Sequence, residues 1–220
     1  MRRSPSVWIV LVISVILTAG STVASVGELI PFFRSSGTLE TKFDALSSGT
    51  LAPGLSTYSK LAFLDDCSYA LNSFSFIMLG ENTQTSIRQN CESVASSIVV
   101  TAPTFSYAWY VKALAGDAVN GSGDFQTSLL QARRTAPNQE GLAYYRAMLA
   151  YTNWQYLDNE ARQELSGDIV VAANSSRGRS WIARRYLEGG EFQATIVDAM
   201  EMAPPNIQSL FLRTVRNFSG

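Results

Sequence analysis

One segment of the chain occurs twice. Residues 123–137 read GDFQTSLLQARRTAP and residues 190–204 read GEFQATIVDAMEMAP, with Gly, Phe, Gln, Ala, Ala and Pro at matching positions. The offset, 190 − 123 = 67 residues, is close to twice 34. A fainter echo has a period of 34: Thr101-Ala102-Pro103 leads into Tyr110-Val111-Lys112-Ala113-Leu114, and Thr135-Ala136-Pro137 leads into Tyr144-Tyr145-Arg146-Ala147-Met148. A period of about 34 residues marks stacked helix-turn-helix units. Such units cannot bury their apolar faces alone, and the stack offers an extended surface to partners. The first expectation is therefore binding rather than chemistry.

Composition agrees. The chain has 220 residues, 46% of them hydrophobic and 16% charged, with a net charge of −1. This balance gives no reason to expect nucleic acid as a partner. Histidine is absent, which removes the side chain best suited to acid–base work near neutral pH and excludes a Ser-His-Asp or Cys-His arrangement. A zinc site would need carboxylates or a second chain, so neither metal nor cofactor is expected. An enzyme would have to work with carboxylates and tyrosines. Of the 17 basic residues 14 are Arg, the better partner for planar anions.

At the N-terminus, Arg2 and Arg3 precede the apolar run Val7–Leu17 and a small, more polar stretch. This reads either as a signal peptide cleaved after Ala24 or as an uncleaved helix from Val7 to Val26, just long enough for a bilayer, which takes about 20 residues. The anchor is preferred. In both readings the basic end stays in the cytoplasm and the remainder is exported, to a single-pass location with a periplasmic C-terminal domain, or to the periplasm after cleavage.

The rest divides into a spacer, 27–56, rich in Ser, Gly and Pro, with a short helix over Leu39–Leu46, and a helical domain, 57–220. Helical spacing predicts a first helix from Thr57 to the Gly80 turn, a second carrying Ile87, Cys91 and Ile98, and a third after Pro103. Further helices follow over 125–135, from Pro137 to Tyr156, over 159–173 with Asp158 as cap, over 179–188 and 191–202, and from Pro204 to Phe218. No run of alternating strands stands out, and the fold class is all-α.

Cys67 and Cys91 lie 24 residues apart, centred on residue 79 beside Gly80. In an antiparallel hairpin turning there, a rise of about 1.5 Å per residue sets both at the same height on facing apolar surfaces. A disulfide fits an exported chain; two buried free thiols are the alternative.

The repeat resembles the tetratricopeptide (TPR) family. Ala132 precedes Pro137 by five residues and Ala199 precedes Pro204 by five, and Gly123-Asp124-Phe125 and Gly190-Glu191-Phe192 look like the turn and start of a second helix. From that Gly to the Pro is 14 residues, against about 17 in the usual repeat, and residues 57–101 match poorly. The resemblance covers about 101–217 and implies a short right-handed solenoid of antiparallel helix pairs after the N-terminal membrane or signal helix. More faintly, the chain is similar to membrane-anchored TPR-like proteins associated with bacterial exopolysaccharide biosynthesis, through Pro103…Trp109, residues 136–140 and Arg146…Trp154-x-x-Leu157. That similarity implies an accessory role beside an envelope polymerase, ligase or exporter.

In such a solenoid the first helices of each pair line a groove. Trp109, Tyr110, Tyr144, Tyr145, Arg146, Trp154 and Trp181, with Arg184 and Arg185, are the candidate groove residues for a partner or a polysaccharide. The alternatives are that the aromatics fill the core between helices and that the arginines form a solvated face. Arg177 and Arg179 form one basic cluster with Arg184 and Arg185, and Arg133, Arg134, Arg213 and Arg216 add to it if the repeats stack. The carboxylate pairs Asp65/Asp66 and Glu160/Glu164 read as solvated charge. The chain is thus expected to be a non-enzymatic, membrane-anchored adaptor or scaffold, with a soluble periplasmic glycan-binding protein as the second reading.

Overall fold

The computed structural model describes residues 5–35, 37–116 and 124–220, with the side chains of residues 5–7, 23–24, 27 and 30–35 left aside. The Arg2-Arg3 pair and Gly123 of the first repeat copy lie outside the described residues. Every regular element among the described residues is helical. The chain divides into two compact units, residues 1–94 and 95–220.

The first unit opens with α1 (Pro5–Ser35) and α2 (Leu39–Ser47). It continues with α3 (Thr57–Leu71), the short α4 (Phe74–Ile77) and the first part of α5 (Glu81–Thr101). Described apolar side chains from Trp8 to Leu17 are between 48% and 67% exposed, on every side of the helix. The hydroxyls of the more polar second half turn inward. Thr18 donates to the Ser14 carbonyl at 2.7 Å, Ser21 to that of Thr18 at 3.0 Å, and Thr22 to that of Ala19 at 2.9 Å. Among the described residues no helix is long and apolar enough to cross a membrane.

Residues 27–56 are more than a spacer. The helix α1 runs unbroken to Ser35. Thr38 caps α2 by accepting from Thr41 N, and Phe43, Leu46 and Leu51 are buried. Ser56 caps α3 in the same way. Capping hydroxyls supply the donors' partners at a helix start, so a Ser/Thr-rich stretch can punctuate packed helices as readily as it can form a linker. The first helix ends at Leu71 rather than at Gly80, because Ser73 caps the separate turn α4. Phe63, Leu64, Cys67 and Ala70 of α3 are buried, as are Ile87 and Cys91 of α5. Cys67 and Cys91 form a disulfide with their Cα atoms 5.8 Å apart. Asp66 is also buried, not solvated, and pairs with Lys42 at 2.5 Å.

The second unit holds α6 (Ser106–Ala115), α7 (Asp124–Thr135), α8 (Glu140–Thr152), α9 (Asn159–Ala172), α10 (Ser176–Glu188), α11 (Glu191–Glu201) and α12 (Pro205–Ser219). Each helix packs on the next, and α7 and α11 both pack on α9. The duplicated segments are α7 and α11, and three pairs of corresponding positions are buried in both copies. Phe125 and Phe192, Leu129 and Ile196, and Ala132 and Ala199 all lie in the core. Gly189 and Gly190 adopt φ of 78° and 83°, a region that favours glycine, so the second copy's leading Gly is fixed by the α10–α11 turn. Asp158 caps α9 by accepting from Ala161 N at 2.8 Å.

A buried polar hub ties α6 to α9 together. Arg146 donates through Nε and Nη2 to both oxygens of Asp168, at 2.8 and 2.7 Å, and through Nη1 to the Ala132 carbonyl at 3.1 Å. Ser106 Oγ donates to the same carbonyl at 2.8 Å, and Arg133 reaches Asp168 at 2.7 Å. A buried ion pair is tolerable only when its remaining donors and acceptors are met in this way.

Candidate functional site

The rings of the second unit meet in a continuous run, because α6, α8 and α10 each turn aromatics toward the next helix. Tyr110 contacts Tyr145 at 6.0 Å between centroids, Tyr145 contacts Tyr144 at 5.4 Å, and Tyr144 contacts Trp181 at 6.0 Å. Trp181 meets Phe192 at 6.2 Å, and Phe192 meets Trp154 at 5.0 Å. The pairs are tilted or edge-on, the arrangement that the ring quadrupole favours. The run therefore joins five of the sequence-predicted residues, Tyr110, Tyr144, Tyr145, Trp154 and Trp181. Tyr110 and Tyr144 are buried in it, while Tyr145, Trp154 and Trp181 keep part of their surface.

The other predicted residues are placed apart. Trp109 donates its indole N–H to the Pro103 carbonyl at 2.7 Å, under Lys112. Arg146 is fully buried in the hub and has no surface left for a ligand. Arg184 is exposed, over the Phe218 ring. Arg185 pairs with Glu188 at 2.7 Å and donates to the Tyr151 hydroxyl at 3.3 Å. Three arginines of the extended basic cluster are engaged elsewhere. Arg133 is taken by Asp168, Arg134 grips Glu164 with two hydrogen bonds, and Arg179 donates to the Ala173 and Asn174 carbonyls. Arg177 does lie across the aromatic run, over Tyr144 and Tyr145, and hydrogen bonding to Tyr144 holds its guanidinium above the usual arginine range.

An open groove of about 600 Å³ lies between α9 and α11. Arg162, Gln163 and Ser166 line one side, Glu191, Thr195 and Asp198 the other, and Trp154 and Met202 add apolar surface. Spacings of three, four and seven residues bring these side chains to one face of each helix. Arg162 donates through Nε and Nη2 to the Trp154 carbonyl, at 3.2 and 2.9 Å, and its guanidinium stands over the Trp154 ring. Trp154 alone of the predicted residues reaches this groove. The rest of its lining was hidden in the sequence because polar side chains on the second helix of a pair look like ordinary solvated surface.

The groove offers carboxylate, amide and hydroxyl partners beside an indole, which suits recognition of hydroxyl- or amine-bearing ligands. Glu191 and Asp198 sit on the same helix, about 10 Å apart along its axis, rather than facing each other across a cleft as glycoside hydrolysis requires. Among the described residues no group of three or more potential metal ligands comes together. No family model, curated protein or solved structure matches the chain.

Proposed function

We propose that the chain is a membrane-anchored adaptor whose second unit, a short stack of TPR-like helix pairs, receives a partner on the outer side of a bacterial inner membrane. The observation that carries the reading is the apolar circumference of α1 from Trp8 to Leu17. A helix that is apolar on all sides needs a non-aqueous surrounding. The inward hydroxyls of Thr18, Ser21 and Thr22 extend that character toward Val26, since a hydroxyl bonded to its own helix no longer asks for water. The helix-on-helix pattern in which α9 carries both α7 and α11 supports the stacked pairs. The partner class that the sequence resemblance favours is an envelope polymerase, ligase or exporter of exopolysaccharide.

Affinity capture of the C-terminally tagged chain from mild-detergent membranes, after an alkaline carbonate wash, tests this. Retention of the intact chain through the wash together with an envelope assembly protein supports the adaptor. Release by carbonate overturns it. The second reading, a soluble periplasmic glycan binder, rests on the Trp154 groove, and predicts quenching of indole fluorescence by oligosaccharide that Trp154→Phe abolishes.

A further inference from the structure

We infer that the corner formed by Leu55 and Tyr58 is a second membrane contact, seated in the outer-leaflet interface of a phospholipid bilayer; this rests on the anchored reading of α1. The corner is held to the anchor by one residue. Glu28 Oε1 accepts from the backbone N–H of Leu55 at 2.5 Å and of Ser56 at 2.8 Å, and Oε2 accepts from Ser56 Oγ at 2.5 Å. Gly54 leaves the room for this: a Cβ there would stand 2.8 Å from the Glu28 carboxylate. The residue Glu28 lies two positions beyond Val26, about 3 Å along the helix axis. The three bonds therefore fix the 54–58 corner at the height where the apolar span of α1 ends.

The side chains gathered at that height are the ones an interface takes. Val26 is 56% exposed, Leu29 52%, Leu55 85% and Tyr58 74%, each within two residues of Glu28 or of the Leu55–Ser56 segment that it clasps. Isolated exposed apolar residues need no explanation, but a set continuous with an apolar span does. Tyrosine suits the bilayer interface, with its ring in the headgroup region and its hydroxyl toward water. Leu61 continues the same exposed face of α3 one turn further on, and Lys60 beside it can reach lipid phosphate. Covering by lipid removes the cost of showing Leu55 to water, and it converts a single-helix tether into a two-point seat.

The disulfide leaves the chain with no free thiol among its cysteines, so a nitroxide can be placed on Leu55→Cys, Ile13→Cys or Met78→Cys in the full chain. Each is reconstituted into vesicles of phosphatidylcholine and phosphatidylglycerol, and power saturation compares collisions with oxygen and with a water-soluble nickel chelate. The expected result is a shift toward oxygen at positions 13 and 55, with the deeper value at 13, and nickel accessibility at 78. Position 55 as open to nickel as position 78, with 13 still in hydrocarbon, overturns the second contact alone. Nickel access at 13 as well overturns the anchored reading and the inference with it.

Discussion

Arg146 and Asp168 meet as a two-pronged ion pair from which solvent is fully excluded. Both carboxylate oxygens are engaged by Arg146, one of them also by Arg133, and two further guanidinium donors go to the carbonyls of Ala132 and Ala136. Removing one partner strands the other in the core. Arg146→Met or Asp168→Asn is expected to cost about 3–5 kcal/mol, whereas replacing Arg146 and Asp168 together by apolar residues costs distinctly less than the sum. Urea unfolding of the single and double variants measures this, and additive losses would contradict it.

The hairpin disulfide gives a second expectation. Cys67 and Cys91 close a loop of 24 residues, for which chain-entropy arguments give about 3 kcal/mol. Cys67→Ala with Cys91→Ala should lower the stability of the first unit by that order, and a non-reduced digest should yield the two cysteine peptides as one linked mass.

Two glycines separate close packing from open space. A Cβ at Gly178 would come 2.0 Å from the Ala172 carbonyl oxygen, whereas at Gly141 it would meet nothing within 4 Å. Gly178→Ala is expected to destabilise by about 1–3 kcal/mol through forced separation of α9 and α10. Gly141→Ala, within α8, should instead stabilise by about 0.5–1 kcal/mol. Thermal melts of the pair decide it by sign alone.

The Glu28 clasp depends on pH in a defined direction. The hydrogen bond from the Ser56 hydroxyl, then that from its backbone N–H, hold the Glu28 carboxyl below its ordinary value of 4.5. The native state therefore binds fewer protons there than the unfolded chain. The contribution is complete above that ordinary value and is lost as pH falls through the depressed one. Asp66 runs the other way: burial lifts its carboxyl above 3.8 against the pull of Lys42, so its charge is a burden that acidification relieves. The difference in Tm between the native chain and Glu28→Ala should narrow as pH falls below the glutamate range, and an unchanged gap would count against the clasp.

The helical class, the α9 cap at Asp158 and the Cys67–Cys91 pairing were legible because each depends on spacing along the chain. A cap is read three residues away, and a hairpin partner is read by reflection through its turn. Arg146 was misread as a groove residue for the opposite reason. Its burial depends on Asp168 arriving from another helix, and nothing local distinguishes an arginine that meets a carboxylate in the core from one that faces water. Arg133 likewise gains its partner from another helix, in Asp168, and Arg134 pairs with Glu164 at the surface. The α9–α11 groove was hidden because its lining comes from two elements whose faces become neighbours only after packing. Phe43, Leu46 and Leu51 were overlooked amid Ser and Gly, where composition masked three buried side chains.

The Ala132 carbonyl receives both Ser106 and Arg146, and Arg146 in turn holds Asp168. Arrays of interchangeable modules grow or shrink by duplicating a unit, since each unit brings its own seams. Here one seam is keyed: the residues that close it sit on α6, α7, α8 and α9 and on no other helix. Removing α9 alone would strand Arg146 in the core without its carboxylate, and removing α8 alone would strand Asp168. The four helices that meet at the Ala132 carbonyl are thereby bound to one another as a set, and no one of them can be exchanged without regard to the other three.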